Sequence, residues 1–302
     1  MKTNSVTGSF TLSSIVGKVV HDPAFGSFGR LLFPVDMPVP DSMTLKEVTS
    51  SRTYLWYSNL HPDKTVEVVN KLKRRALSGE RIFYPIYPEE EIRHDPDLAD
   101  TGLFCLHGKP GEKFAIINAG GGFSYVAAMH DAFPHALKLA RRGYTAFVLI
   151  YRPTHPYQDL ARAIQLIEAN AEILRVNPDG YSLWGGSAGA RMAAALGNAK
   201  NLRYLAGDVP QAGAVIMQYT GYDEVSRSDA PTYACVGTND RIAAWRIMER
   251  RLRALESYGI PTRFHVYKGL HHGFGIGTGT VADGWTMPWH SGRRIHRMAC
   301  MA

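Results

Sequence analysis

The stretch YSLWGGSAGARMAAALG, residues 181–197, joins a short apolar run to an alanine-rich run through a serine flanked by glycines. The apolar run is typical of a buried strand and the alanine-rich run of a helix. Between them GGSAG, residues 185–189, fits the pattern G-x-S-x-G, which in this context indicates a sharp strand-to-helix turn. Small residues two positions on either side of Ser187 let strand and helix approach closely. Ser187 is therefore a candidate nucleophile, and a glycine-rich turn whose serine only caps the helix is the alternative.

The rest of the chain supplies an alternating pattern around this turn. Most of the strand candidates are continuous apolar runs, which are typical of parallel strands buried on both faces. We predict strands at residues 82–87, 102–108, 113–119, 145–151, 181–185, 214–220, 232–237 and 263–269, with helices at 132–143, 157–177 and 240–259. This alternation predicts an α/β domain with an eight-stranded, mostly parallel sheet, helices on both faces and an antiparallel pairing of the first two strands.

Residues 1–80 differ from this pattern. They are rich in glycine and phenylalanine at first and then contain a helix-like segment at 63–79. We interpret residues 1–80 as an N-terminal extension packed on the α/β domain of residues 81–302, and as a candidate partial cap over the active site. Phe25, Phe28 and Phe33 are candidates for lining its mouth, with packing in the core as the favoured alternative.

A nucleophilic serine needs a base and an acid that orients the base. In one class of α/β enzymes such groups follow the carboxyl ends of successive strands, in the order serine, acid, histidine. Asp240 follows the strand at 232–237, and His271 and His272 follow the strand at 263–269. We favour His272, because Gly273 beside it leaves the ring's surroundings open. Asp240 also suits the N-cap of the predicted helix at 240–259.

Three weaker candidates for the acid lie after the preceding strand: Asp223, Glu224 and Asp229.

A developing oxyanion also needs backbone N–H donors. Gly120, Gly121 and Gly122 end the strand at 113–119, and glycine lets the backbone approach a substrate oxygen. The N–H of Ala188, directly after the nucleophile, is a second donor.

Composition narrows the class of partner. The net charge of +7 comes partly from the last twelve residues, and the other basic residues are scattered, which argues against nucleic acid. No apolar run is long enough to span a bilayer, and no nucleotide-loop motif or metal-ligand spacing stands out, so we expect no membrane, cofactor or metal. Cys105, Cys235 and Cys300 are too few for a disulfide framework, and the first two are expected to be core thiols, which favours a cytoplasmic setting.

Together the motifs NAGGGF, GYTAFVLIYRP, DLARAIQLI, GGSAGA, GTND and HHGFG, between about residues 102 and 279, resemble those of α/β-hydrolases of the esterase/lipase kind. The resemblance is to the acetyl-esterase-like branch that includes acetylxylan-esterase- and kynurenine-formamidase-like enzymes. It implies an α/β-hydrolase fold in which Ser187, Asp240 and His272 match the catalytic triad. It also implies that Gly121, Gly122 and Ala188 match the oxyanion donors.

Three departures from that family's pattern are visible. Asn118-Ala119 stands where a histidine often precedes the glycines, and Ala190 stands where a glycine often follows GGSAG; neither removes a catalytic group. The C-terminal residues 284–302 have no amphipathic helical stripe, which bears on the packing of the end of the chain rather than on the chemistry. The sequence therefore predicts a serine hydrolase for short-chain carboxylic esters, such as acetyl esters of a carbohydrate or small metabolite. Its partner would be a small-molecule ester, with a homo-oligomer as an option. A peptidase or amidase with the same triad, and a binding protein on a hydrolase fold, are the alternatives.

Overall fold

The computed structural model describes residues 8–286, so Cys300 and most of the atypical C-terminal stretch lie outside the described residues. The strands are β1 Phe83–Tyr84, β2 Gly102–Leu106, β3 Glu112–Asn118, β4 Thr145–Ile150, β5 Val176–Gly186, β6 Ala214–Gln218, β7 Thr232–Gly237 and β8 Thr262–Tyr267. The helices are α1 Val16–Val20, α2 Leu45–Val48, α3 Pro62–Leu77, α4 Glu89–His94, α5 Ala128–Asp131, α6 Phe133–Ala140, α7 Pro156–Ala169, α8 Ala171–Leu174, α9 Ala188–Leu196, α10 Ala199–Ala206 and α11 Trp245–Ser257, with 3-10 turns at Pro23–Leu32 and Pro96–Asp100.

The eight strands form one sheet in the order β1-β2-β4-β3-β5-β6-β7-β8. The pairs β1–β2 and β2–β4 are antiparallel, and all later pairs are parallel. Every residue of β2, β4, β6 and β7 is buried, so both faces of the sheet are covered. All eight predicted strands are present, and the antiparallel start of the sheet is confirmed.

Two helix predictions were wrong at one end. The helix predicted over 157–177 ends at Ala169; after the short α8, Arg175 adopts a left-handed φ of 54° and the chain enters β5 at Val176. The helix predicted over 240–259 begins only at Trp245. Between β1 and β2 the structure also has α4 and a 3-10 turn, where the sequence showed no helix signal.

The hydrophobic core contains the three phenylalanines that the sequence placed either at the mouth of the active site or in the core. Phe25 and Phe33 are buried, and the half-buried Phe28 stacks on Phe83, so these rings belong to the core. Cys105 and Cys235 are buried free thiols, and burial raises the pKa of both. Across residues 8–286, no helix is both long and apolar enough to cross a membrane.

Residues 54–59 bring the N-terminal part of the chain to the carboxyl ends of the parallel strands. The N–H of Ser58 donates to the carbonyl oxygens of His272 and Gly273, at 3.1 and 3.2 Å, and its hydroxyl donates to the His272 carbonyl at 2.7 Å. The Asn59 amide donates to the Phe274 carbonyl at 3.4 Å. Hydrogen bonds from the N-terminal part of the chain thus hold the loop that carries His272.

Candidate active site

Ser187 sits on the sharp turn between β5 and α9. Its φ of 52° and ψ of −118° are a strained combination for a residue with a side chain. A Cβ atom at Gly185 would lie 2.2 Å from the carbonyl carbon of Gly189, so the strand and helix approach too closely for any side chain there. The N–H of Ser187 donates to the Gln218 carbonyl at 2.9 Å, which ties the turn to the end of β6.

The structure brings Ser187, His272 and Asp240 together. His272 Nε2 lies 3.0 Å from Ser187 Oγ, and His272 Nδ1 lies 2.8 Å from Asp240 Oδ2. Both His272 and Asp240 are buried. These contacts form a continuous chain from the carboxylate through the imidazole to the hydroxyl, the arrangement in which a histidine can take a serine proton.

Asp240 makes a second set of contacts through its other oxygen. Oδ1 accepts the N–H groups of Ile242 and Ala243 at 2.8 and 2.7 Å. These bonds stabilise a turn over residues 240–243, and α11 starts after that turn rather than at Asp240. One carboxylate therefore both caps a turn and faces the imidazole, although it does not cap the predicted helix.

The other candidates for base and acid lie elsewhere. His271 is exposed, as are Asp223 and Glu224. Asp229 pairs with Arg251 at 2.8 Å, and both of these side chains are buried. None of these residues makes a hydrogen bond to Ser187 or His272 within the described part of the chain.

The glycine loop after β3 lies beside the serine turn. The Gly120 N–H donates to the Asp131 carboxylate at 2.8 Å, whereas within residues 8–286 the N–H groups of Gly121 and Gly122 have no hydrogen-bond acceptor. Both of these glycines have positive φ, 125° and 64°. A Cβ atom at Gly121 would lie 1.9 Å from the Tyr125 carbonyl oxygen, so this backbone requires glycine.

Ala188 is the first residue of α9, where a helix has N–H groups without an intrahelical acceptor. A Cβ atom at Gly120 would lie 2.8 Å from Ser187 Cβ, which places the glycine loop directly against the serine. The predicted donors therefore border the predicted nucleophile. The Tyr151 hydroxyl fixes the start of the loop by donating to the Ala119 carbonyl at 2.7 Å.

Sequence reasoning missed Asp131 as a residue of this site. The side chain is 1% exposed and accepts hydrogen bonds from the Gly120 N–H and from the hydroxyls of Tyr57 and Tyr219. Burial, followed by the nearby charge of Asp131, raises the pKa of both tyrosines well above the usual value, so both remain protonated donors. An acidic residue inside the apolar run VAAMHDAF was the available signal.

Two histidines, His130 and His135, lie close to Asp131 in the sequence. His130 Nε2 lies 3.0 Å from the Gly273 carbonyl oxygen, and burial lowers the pKa of this imidazole. Burial also lowers the pKa of His135, to about 4. Over residues 8–286, no group of three or more His, Cys, Asp or Glu side chains is arranged to hold a metal ion.

Comparison with solved structures identifies the architecture. The acetyl ester-xyloside bifunctional hydrolase from Caldicellulosiruptor lactoaceticus superposes with a TM-score of 0.61 at 20% identity, over 72% of this chain and 96% of that one. A thermophilic esterase from Thermogutta terrifontis gives a TM-score of 0.56 at 20% identity over 66% and 90% of the two chains. The carboxylesterase from Lactobacillus plantarum WCFS1 gives 0.55 at 18% identity over 65% and 93%.

The chain therefore has the α/β-hydrolase fold, as its motifs predicted. A deep-sea metagenomic enzyme from the Medee basin, described as an α/β-hydrolase, has the same architecture at 23% identity and a TM-score of 0.53. No family model matches the chain, and no curated protein matches it in sequence.

Proposed function

We propose that this protein is a serine hydrolase that cleaves short-chain carboxylic esters through Ser187, His272 and Asp240. The observation that carries the proposal is the unbroken contact chain from Asp240 Oδ2 through His272 to Ser187 Oγ, with distances of 2.8 and 3.0 Å, at a strained strand-to-helix turn. A serine that only capped α9 would need neither the imidazole nor the buried carboxylate behind it.

In the proposed reaction Ser187 Oγ attacks the ester carbonyl carbon while His272 Nε2 takes the hydroxyl proton. Asp240 holds the imidazole in the tautomer that leaves Nε2 free to accept, and stabilises the imidazolium that forms. The tetrahedral oxyanion is bound by backbone N–H groups of Gly121, Gly122 and Ala188.

Collapse of this intermediate breaks the bond to the leaving alcohol, which receives its proton from His272. Water then attacks the acyl-enzyme with His272 again as base, which releases the carboxylic acid and restores Ser187. The catalytic groups of this cycle are side chains and backbone N–H groups of the chain itself, and water is the second substrate.

The choice of ester is supported by the superposed structures that are described as esterases, and the choice of short acyl groups by the residues around the glycine loop. A Cβ atom at Gly122 would lie 2.9 Å from the Trp56 ring, so Trp56 covers this side of the loop. In this proposal, residues 54–59 act as a partial cap that limits acyl length. Acetyl esters of small molecules are the proposed substrates, and the free, buried thiols of Cys105 and Cys235 support a reducing, cytoplasmic setting.

Hydrolysis of p-nitrophenyl acetate, butyrate and octanoate by the wild type, Ser187→Ala and Ser257→Ala tests the proposal. Ser257 is a matched control, because within residues 8–286 its hydroxyl makes only a local bond to the Ala254 carbonyl. We expect turnover to decrease with chain length and Ser187→Ala to lose on the order of 10⁶-fold in kcat. Turnover that survives in Ser187→Ala overturns the assignment of the nucleophile.

The same assay separates the two alternatives. A wild type that is inert towards every ester but cleaves p-nitroanilides is an amidase with this triad. A wild type that is inert towards both, and whose Ser187 does not react with a fluorophosphonate, is a binding protein on a hydrolase fold.

A further inference from the structure

A buried carboxylate outside the proposed triad contacts both the serine turn and the glycine loop. Asp131 ends α5 and is 1% exposed. Its Oδ2 accepts the Gly120 N–H at 2.8 Å and the Tyr57 hydroxyl at 3.0 Å, and its Oδ1 accepts the Tyr219 hydroxyl. Among residues 8–286, no cationic side chain forms an ion pair with it. Burying a carboxylate without a cation is costly, and hydrogen bonds from three donors offset that cost. The presence of Asp131 at this buried position therefore requires an explanation.

The carboxylate also lies against the residue that precedes the proposed nucleophile. A Cβ atom at Gly186 would come within 2.4 Å of Asp131 Oδ2, so a side chain there would displace the carboxylate. Asp131 thus contacts the glycine loop through Gly120 and the serine turn through Gly186. These are the two backbone segments that contribute the proposed oxyanion donors.

The two tyrosines extend this arrangement to the loop that carries His272. The Tyr219 hydroxyl accepts the Gly275 N–H at 3.2 Å while donating to Asp131, and the Tyr219 and His272 ring centroids are 5.0 Å apart. Tyr57 directly precedes Ser58, whose N–H and hydroxyl both donate to the His272 carbonyl. Each hydroxyl therefore connects the carboxylate to the backbone around the proposed base.

We propose that Asp131 is a positioning residue, which orients the oxyanion-binding N–H groups of Gly121 and Gly122 by holding the Gly120 N–H and two tyrosine hydroxyls. The inference rests on the function proposed above. Preorganised donors stabilise a transition state only when they are held within about 0.5 Å of the required position. A carboxylate suits this task because it only accepts hydrogen bonds, and all three partners donate.

The test compares Asp131→Asn and Asp131→Ala with the wild type, with each rate expressed per reactive Ser187 titrated by a fluorophosphonate. Asparagine keeps one oxygen that can accept the Gly120 N–H, but it places an amide N–H where the second oxygen stood. Alanine removes every acceptor. We expect kcat per titrated site to fall roughly 10-fold in Asp131→Asn and about 10²-fold in Asp131→Ala, with KM changed less than about threefold, because an oxyanion contact acts mainly in the transition state.

A second readout uses a trifluoromethyl ketone, which forms a tetrahedral adduct with serine. Its affinity should decrease in parallel with kcat/KM across the three proteins, as expected for lost transition-state binding. Asp159→Asn is the matched control, because Asp159 is also fully buried but forms an ion pair with Arg152, with 2.7 Å between the two side chains. Among residues 8–286 its carboxylate bonds to Tyr87 and Arg152 and not to the serine turn or the glycine loop. That variant should lose thermal stability and keep its kcat per titrated site.

Four outcomes bear on the inference. A kcat per titrated site that falls from the wild type to Asp131→Asn and further to Asp131→Ala supports a positioning role. If the alanine variant does not fold, the asparagine variant alone decides. Equal kcat per titrated site in the wild type and Asp131→Asn overturns it, even when the variant is less stable. A wild type that neither hydrolyses esters nor reacts with the fluorophosphonate overturns the proposed function and this inference with it. Ester turnover that depends on Ser187 but not on Asp131 overturns the inference alone.

Discussion

The α-carbon of Gly189 faces the carbonyl oxygen of Asn118 so closely that a Cβ atom at Gly189 would lie 2.0 Å from that oxygen. Asn118 ends β3 and Gly189 lies in the first turn of α9, so the helix touches the backbone of the strand that leads into the glycine loop. Because that neighbour is backbone, it cannot rotate away as a flexible side chain would. The spacing between the proposed nucleophile and the proposed oxyanion donors therefore depends on the absence of a Cβ atom at Gly189.

Gly189→Ala should destabilise the fold by about 1–3 kcal/mol, because the added methyl group forces the helix and strand apart. Urea unfolding followed by circular dichroism measures this change. Gly221→Ala is the control, since a Cβ atom there would meet nothing within 4 Å. Equal unfolding midpoints for the two variants would show that the helix can shift without cost.

Asp240→Asn should lower kcat by about 10⁴-fold, as in other triads, because an amide can donate to Nδ1 and stabilise the wrong tautomer of His272. Asn can still accept the N–H groups of Ile242 and Ala243, so the turn should form and the thermal midpoint should change little. Steady-state kinetics on p-nitrophenyl acetate measures the effect. The exposed Asp208 provides the control variant Asp208→Asn, and similar activity in both variants would remove Asp240 from the triad.

Ser58→Ala should lower kcat several-fold and destabilise the protein by about 1 kcal/mol, because the His272 carbonyl loses the hydroxyl donor at 2.7 Å. Ser78→Ala is matched to it, since the Ser78 hydroxyl also donates to a backbone carbonyl at 2.8 Å, but on an exposed helix end. We expect unchanged kcat in Ser78→Ala. An unchanged kcat in Ser58→Ala as well would mean that the backbone N–H of Ser58 is enough to hold the loop.

Glu168 should make stability depend on pH. Burial, followed by the charge of Asp179, raises the pKa of this carboxyl from 4.5 to about 7. The folded protein therefore retains a proton that the unfolded chain releases between these pH values, so the free energy of unfolding falls as pH rises through that window. Glu168→Gln should flatten this decrease by on the order of 1 kcal/mol, a figure reduced for solvent screening of a half-buried group.

Urea unfolding at pH 5 and pH 8 checks this expectation. Glu172→Gln, on the exposed surface of α8, is the control and should leave the pH dependence unchanged. The same slope in the wild type and Glu168→Gln would show that Glu168 ionises alike in the folded and unfolded states.

Most of the strands could be predicted because they are runs of apolar residues, as expected for strands that are buried on both faces of the sheet. Ser187, Asp240 and His272 could be selected because each follows a predicted strand, and parallel strands end at one edge of the sheet. The start of α11 could not be predicted, because the Asp240 carboxylate accepts hydrogen bonds from Ile242 and Ala243 and so stabilises a turn that precedes the helix. Asp131 could not either: its tyrosine partners are 74 and 88 residues away in sequence, and neither has a recognisable spacing.

The bond between Ser58 and the His272 carbonyl spans 214 residues of chain. On a ribosome that adds about 5–20 residues per second, Ser58 would wait roughly 10–40 s before its partner is made. The strands β1 to β7 all precede His272, so most of the sheet can assemble during that interval while Ser187 still lacks its proposed base. If His272 is that base, the growing chain carries most of the scaffold and has no activity until β8 and the loop after it have been synthesised.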